Sequence, residues 1–386
     1  MSPSEFNGGP VVIIGGGVVG VSIAYHLAIA GHDKVTVLER GLVGEGSTGK
    51  ATGGIRQQFT SDINVEISRR AVAYFESFAD LVGEPLEFRQ HGYLFAIDDA
   101  PAMERAADAA TRQQHMGVPV QVLTPGEVAE RCPGVRTTDL AGGTYCPTDG
   151  SASPSDTAAG FARQARRHGV DIRTHTSASG IVRMQSGRVR EVLAGEDRLP
   201  AEIVIDAAGA WARQVGRLVG FDPPIEPHPR QAFAVPGLDW FDAASPMTVD
   251  MGAGVYVHPE RSGAIIGGGD RSRPESFEAT IDHALFESTI ESLVHRFPRL
   301  DGAQVSRGWV GLREMTPDDH ALVGPVTDIP GFWIAAGFSG HGFMHSPVIG
   351  QQIASWLLDG TTSIDLAALD PERFTAGKPD TETLVF

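Results

Sequence analysis

Two clusters of small residues at opposite ends of the chain carry its clearest chemistry. Near the start, the apolar run Val11-Val12-Ile13-Ile14 enters Gly15-Gly16-Gly17-Val18-Val19-Gly20, a Gly-x-Gly-x-x-Gly spacing. Gly15 permits a tight turn, Gly17 lets the backbone approach a pyrophosphate, and Gly20 allows the following helix to pack close to the strand. A second apolar run, Val35 to Leu38, then delivers Glu39 where a carboxylate accepts hydrogen bonds from a ribose. Strand, glycines, helix, strand and acid in this order make a complete dinucleotide half-site, and Glu39 disfavours a 2′-phosphorylated ribose by charge repulsion. The half-site does not separate FAD from NAD.

Near the other end, Gly337-Phe338-Ser339-Gly340-His341-Gly342-Phe343 precedes a helix predicted from about Ser346 to Leu358 and stopped by Gly360. Backbone N–H groups at a helix entrance carry partial positive charge and favour an anionic ligand group. A solvent-facing glycine loop is the alternative. Between the two clusters, Gly46 to Gln58 is too rich in Gly, Ser and Thr to form a helix, and its small residues let backbone donors reach a ligand.

These segments need a frame to hold them. The 386 residues suffice for two domains, and the formal net charge of -17 argues against nucleic acid and anionic membrane surfaces as partners. Cys132 and Cys146 show neither CxxC nor CxxH spacing, so neither a structural disulfide nor a metal site is expected. With no cationic leader before an apolar core and no bilayer-length apolar run, a cytoplasmic protein is expected.

Strands and helices alternate, which predicts an α/β (α+β) architecture. A helix capped near Ser155 and Asp156 runs to His168, and strands follow at Ile181-Val182-Arg183, Val189 to Val192 and Glu202 to Asp206, the last breaking at Ala207-Ala208-Gly209-Ala210-Trp211. The aromatic cluster Phe233, Trp240 and Phe241 and the strands Gly254 to Val257 and Ala264 to Ile266 have a different texture. The predicted organisation is a Rossmann-like domain over 1–84, 145–222 and 308–386, with an inserted antiparallel-sheet substrate domain over 85–144 and 223–307.

With these markers in order, the chain resembles the D-amino-acid-oxidase-type FAD oxidoreductases. It is most similar to their sarcosine oxidase, glycine oxidase, dimethylglycine dehydrogenase and proline dehydrogenase β-subunit branch. The resemblance rests on the N-terminal unit, the Gly46 to Phe59 loop, the Asp206 to Trp211 turn and Gly337 to Phe343. It implies FAD as cofactor, with Gly15, Gly17, Gly20, Glu39, Arg40, Ser47, Lys50, Val182, Gly209, Trp211, Gly340, His341, Gly342 and Phe343 as its contacts. It also places Arg56 where sarcosine oxidases grip a substrate carboxylate, a role that suits a planar guanidinium. A surface or structural arginine is the alternative. Tyr256 corresponds to a substrate-site tyrosine, although a strand aromatic is equally ordinary core material.

Departures from the family pattern matter as much. Sarcosine oxidases link flavin covalently through a cysteine in the segment resembling Val310 to Asp318; none is present here, so noncovalent FAD is expected. Two family lysines are replaced, one by Met344 at the substrate side and one, which promotes reaction of reduced flavin with oxygen, by Ile265. With no nearby cation at these positions, a dehydrogenase or slow oxidase is expected. The resemblance thus implies oxidation of the C–N bond of an amino acid or N-substituted amino acid to an imine, with Arg56, Tyr256, His341 and Met344 at the reacting end. The resemblance implies a small amino-acid or secondary-amine substrate; it leaves the electron acceptor unknown, with a partner subunit as one candidate. The alternatives are a β-type flavin subunit of a hetero-oligomeric dehydrogenase and a non-catalytic flavin-binding assembly protein.

Overall fold

The computed structural model describes residues 6–268, 273–375 and 381–384. The strand Val11–Ile14 is fully buried and lies at the centre of a six-stranded sheet. It pairs in parallel with Val35–Leu38 on one side and Ile203–Asp206 on the other, and Asp171–Arg173 and Phe332–Ala336 extend the parallel order outward. Only the edge strand Leu322–Pro325 runs antiparallel within it. Strands covered on both faces read as continuous apolar runs, as Val11 to Ile14 and Ile203 to Ile205 do.

The helix Val18–Ile29 is buried over nearly its whole circumference. It packs between the helices Pro154–Arg167 and Gly342–Asp359. Its approach depends on two glycines. Gly15 has φ +116, and a Cβ there would stand 2.3 Å from the Ala207 carbonyl oxygen, while a Cβ on Gly20 would stand 2.0 Å from that of Gly15. Both distances are far inside van der Waals contact, so the strand, the turn after Asp206 and the helix meet only with glycine at these positions.

A second sheet of eight strands draws on Tyr93–Ile97, Gln121–Leu123 and Gly142–Cys146, and on the strands from Glu226–Pro236 to Arg307–Met315. It is antiparallel except where Met247–Asp250 runs parallel to Tyr93–Ile97. Arg307–Met315 pairs along its own length with residues 226–234 of the strand Glu226–Pro236, so the sheet continues past residue 307. Strands Gly180–Arg183, Val189–Ala194 and Asp197–Pro200 form a separate small antiparallel sheet, the last of them unforeseen. The C-terminal helix begins at Gly342, one turn earlier than the small residues suggested, and ends at Gly360 in the left-handed conformation. Among the described residues no helix is long and apolar enough to cross a membrane.

Candidate active site

The two sheets enclose one continuous cavity of about 1080 Å³. Two helix N-termini open into it. Gly17 caps the first helix and His341 the last, and neither cap makes a side-chain hydrogen bond among the described residues. Thr48 Oγ1 takes the Val18 N–H (3.1 Å), and the remaining first-turn N–H groups present partial positive charge to the cavity. Glu39 lies at the near end, its carboxylate accepting from the Gly16 N–H (2.8 Å) and the Gly41 N–H (2.8 Å). Beside it the Arg40 guanidinium stacks over the Trp211 ring at 3.6 Å. The large cavity, the glycine cradle and the two helix N-termini that open into it fit a dinucleotide with an anionic centre.

Most of the anticipated contacts meet here. Gly15, Gly17, Glu39, Arg40, Ser47, Lys50, Gly209, Trp211, Gly340, His341, Gly342 and Phe343 line the cavity, as do Arg56, Tyr256 and Met344. Gly20 does not line it and acts through packing. Val182 does not line it either. In the strand Gly180–Arg183, Ile181 turns into the core, and Val182, on the opposite face by the two-residue period, does not. Thr176, Ser177 and Ala178, just ahead of that strand, line this part of the wall. The Ser47 hydroxyl donates to the Leu312 carbonyl (2.7 Å), which ties the glycine-rich loop to the second sheet.

Arg56 is 2 % exposed and held in the wall. Its guanidinium donates to the carbonyls of Gln58 and Leu384, approaches His341 Nε2 at 3.3 Å and lies over the Phe59 ring at 3.8 Å. Burial lowers its pKa. The segment that supplies Leu384 is anchored by Glu382, whose carboxylate accepts from the backbone and hydroxyl groups of Thr60 and Ser61. Although burial opposes it, these bonds hold the Glu382 carboxyl down at about 2.

Arg313 was not anticipated. It sits in the segment noted only for its missing cysteine, on the strand Arg307–Met315, and it lines the cavity half-buried. A Cβ on Gly340 would stand 3.1 Å from its Nε, so its guanidinium lies against the entrance of the last helix. Arg313 falls on the strand face opposite Val310 and Leu312, where a polar residue obeys the ordinary alternation, so no local signal singled it out. Tyr93 and Met247 were missed as well, and both line the same end with Tyr256 and Met344. Burial pushes the Tyr256 phenol up to about 12 and raises Tyr93 too. Burial, then the Arg56 charge, keeps His341 neutral. Lys50 and Arg313 both line the cavity, while the two positions of the replaced family lysines, 344 and 265, carry no charge. Ile265 does not line it and belongs to a neighbouring space.

The profile of the FAD dependent oxidoreductase (DAO) family matches residues 10–356. The chain is 28% identical to rat (Rattus norvegicus) mitochondrial dimethylglycine dehydrogenase, over 97% of this chain and 46% of the relative. It thus spans under half the length of that curated relative. The crystal structure of L-proline dehydrogenase from P. horikoshii superposes with a TM-score of 0.90 at 30% identity, covering 96% of this chain and 99% of that one. Glycine oxidase from Geobacillus kaustophilus superposes at 0.84 with 27% identity, covering 94% and 98%. The chain belongs to the FAD-dependent oxidoreductase family, and FAD is its cofactor.

Proposed function

From this membership we propose that the chain oxidises the C–N bond of an amino acid or N-substituted amino acid, releasing an imine that water hydrolyses. The observation that carries the reading is the position of Arg313. A guanidinium faces the cavity between the entrance of the last helix and the two tyrosines Tyr93 and Tyr256. Bound FAD supplies hydride acceptance at its N5 atom. The chain's residues supply position and field.

Arg313 offers a planar fork to the substrate carboxylate, with Arg56 behind it as a structural cation rather than the primary clamp. Tyr93 and Tyr256 remain neutral phenols, and Met247 and Met344 complete an apolar wall that excludes water. The amine enters this space among cationic side chains. Like charge disfavours an ammonium group, so the substrate is held as the neutral amine and needs no dedicated protein base. The uncapped N-terminus at Gly342 favours the negative charge that accumulates during oxidation. Contacts from Gly15, Gly17, Glu39, Arg40 and Trp211 hold FAD without a covalent bond.

The test is product identification. FAD-loaded protein incubated with an artificial acceptor dye and carboxylate-bearing primary and N-methyl amines should generate the corresponding carbonyl product. Dye reduction without a carbonyl product, or with non-amine substrates alone, would overturn the proposal.

A further inference from the structure

A second cavity of about 580 Å³ adjoins the first, and Lys50, Ala51 and Thr52 line both. Its lining is unlike the rest of an acidic molecule. In a chain of net charge -17, Lys50, Arg89 and Arg307 face it, with Glu260 as its one carboxylate among the described residues. Glu260 lies 3.9 Å from Arg89 and 3.8 Å from His258 Nε2, too far for a hydrogen bond to either. The helix Pro154–Arg167 also begins here, since its cap Ser153 and its first residues Pro154 and Ser155 line the wall.

His258 is the second, independent sign of a ligand. The ring is 1 % exposed and lines the cavity, and neither nitrogen has a hydrogen-bond partner among the described residues, with Nδ1 wholly buried. Buried imidazole nitrogens without partners cost free energy. Arg89 Nη1 is likewise buried without a partner. The neighbouring His91 shows the ordinary outcome, bonding the Ser151 hydroxyl (2.9 Å) and the Gly92 carbonyl (3.1 Å).

We propose that this cavity is a binding site for a small molecule that presents an anionic phosphate or carboxylate group. Arg89, Arg307 and the helix N-terminus at Ser153 receive the anionic oxygens. His258 donates an N–H from a neutral ring, because burial pulls its pKa down to about 3. The volume exceeds what a bare ion fills, and Trp309, Ile265 and Pro154 give the remainder of the ligand an apolar surface. The ligand therefore has an anionic head and an apolar or aromatic body. Because Lys50 to Thr52 wall both spaces, the second ligand lies directly beside the FAD cavity.

The test uses FAD-saturated protein, so that the first cavity is filled. Pyrophosphate and citrate, as phosphate and carboxylate probes, are titrated by calorimetry at constant ionic strength against a chloride control. One saturable site per chain is expected for at least one probe, and whichever binds more tightly identifies the head group. Arg307→Gln, at an exposed position, and Arg89→Gln should each weaken that binding roughly tenfold or more, as loss of a charged hydrogen bond implies. Arg198→Gln, at an exposed arginine elsewhere, should leave it unchanged. Absence of saturable binding for both probes, or binding indifferent to Arg307 and Arg89, would overturn the proposal.

Discussion

Exchange of the two buried-side arginines for alanine separates the substrate clamp from the wall. Arg56 already spends its donors on the Gln58 and Leu384 carbonyls and is 2 % exposed, whereas Arg313 presents its guanidinium to the cavity beside Gly340. A charged hydrogen bond contributes about 1.5–3 kcal/mol. Arg313→Ala should therefore lower kcat/KM for a carboxylate-bearing amine by roughly 10- to 150-fold while FAD content is retained. Arg313→Lys should recover part of the loss, since it restores charge without the fork. A matched amine lacking the carboxylate should lose little in either variant, which distinguishes a clamp from general damage. Arg56→Ala should act chiefly on stability, because it leaves two carbonyls and the Glu382 anchor without their cation. The assay is steady-state kinetics with an artificial acceptor, alongside flavin content and thermal unfolding. Equal kcat/KM for the carboxylate substrate in Arg313→Ala and unmodified protein, at full flavin content, would refute the assignment.

Three further outcomes follow from the same geometry. Acid or heat should release the flavin into the supernatant, since Val310 to Asp318 contains no cysteine; colour that stays with the denatured chain would show a covalent link. Gly20→Val should abolish flavin retention or lower Tm, because its Cβ would stand 2.0 Å from the Gly15 carbonyl oxygen; a yellow protein of unchanged Tm would contradict the close-packing argument. Asp149, wholly buried among Gln57, Gln58 and Cys146, has its carboxyl raised by burial from 3.8 to about 6. The folded state then holds this proton more tightly than the unfolded state, so its contribution is full below about pH 4 and is lost as pH rises through about 6. The total is roughly 3 kcal/mol. Chemical denaturation of Asp149→Asn should accordingly show its stability rising relative to the unmodified protein over that window, and a pH-independent difference would count against it.

Local chemistry made the first half-site legible. Gly15, Gly17, Gly20 and Glu39 act within one strand-turn-helix-strand unit, where spacing alone determines what each residue can reach. The C-terminal glycine segment was legible for the same reason, although its helix starts at Gly342, ahead of Ser346, with no side-chain cap to mark the start. Long-range pairing hid the rest. Arg313 reaches the cavity only because Arg307–Met315 pairs with Glu226–Pro236, and no local pattern reveals that register. The place of Val182 off the cavity wall has a related origin: a strand was recognised at Ile181 to Arg183, but which of its faces turns to the core depends on a small sheet whose third strand went unseen. Arg56 was found as a residue and its surroundings were not, since Leu384 comes from 328 positions away.

Anaerobic mixing tests the central claim most directly. FAD-loaded protein combined with a panel of amino acids and N-methyl amino acids should lose its flavin absorption near the visible maximum with at least one carboxylate-bearing amine, and the bleaching rate should fall in Arg313→Ala. Flavin that stays oxidised with every amine of the panel, while dithionite still reduces it, would contradict the account.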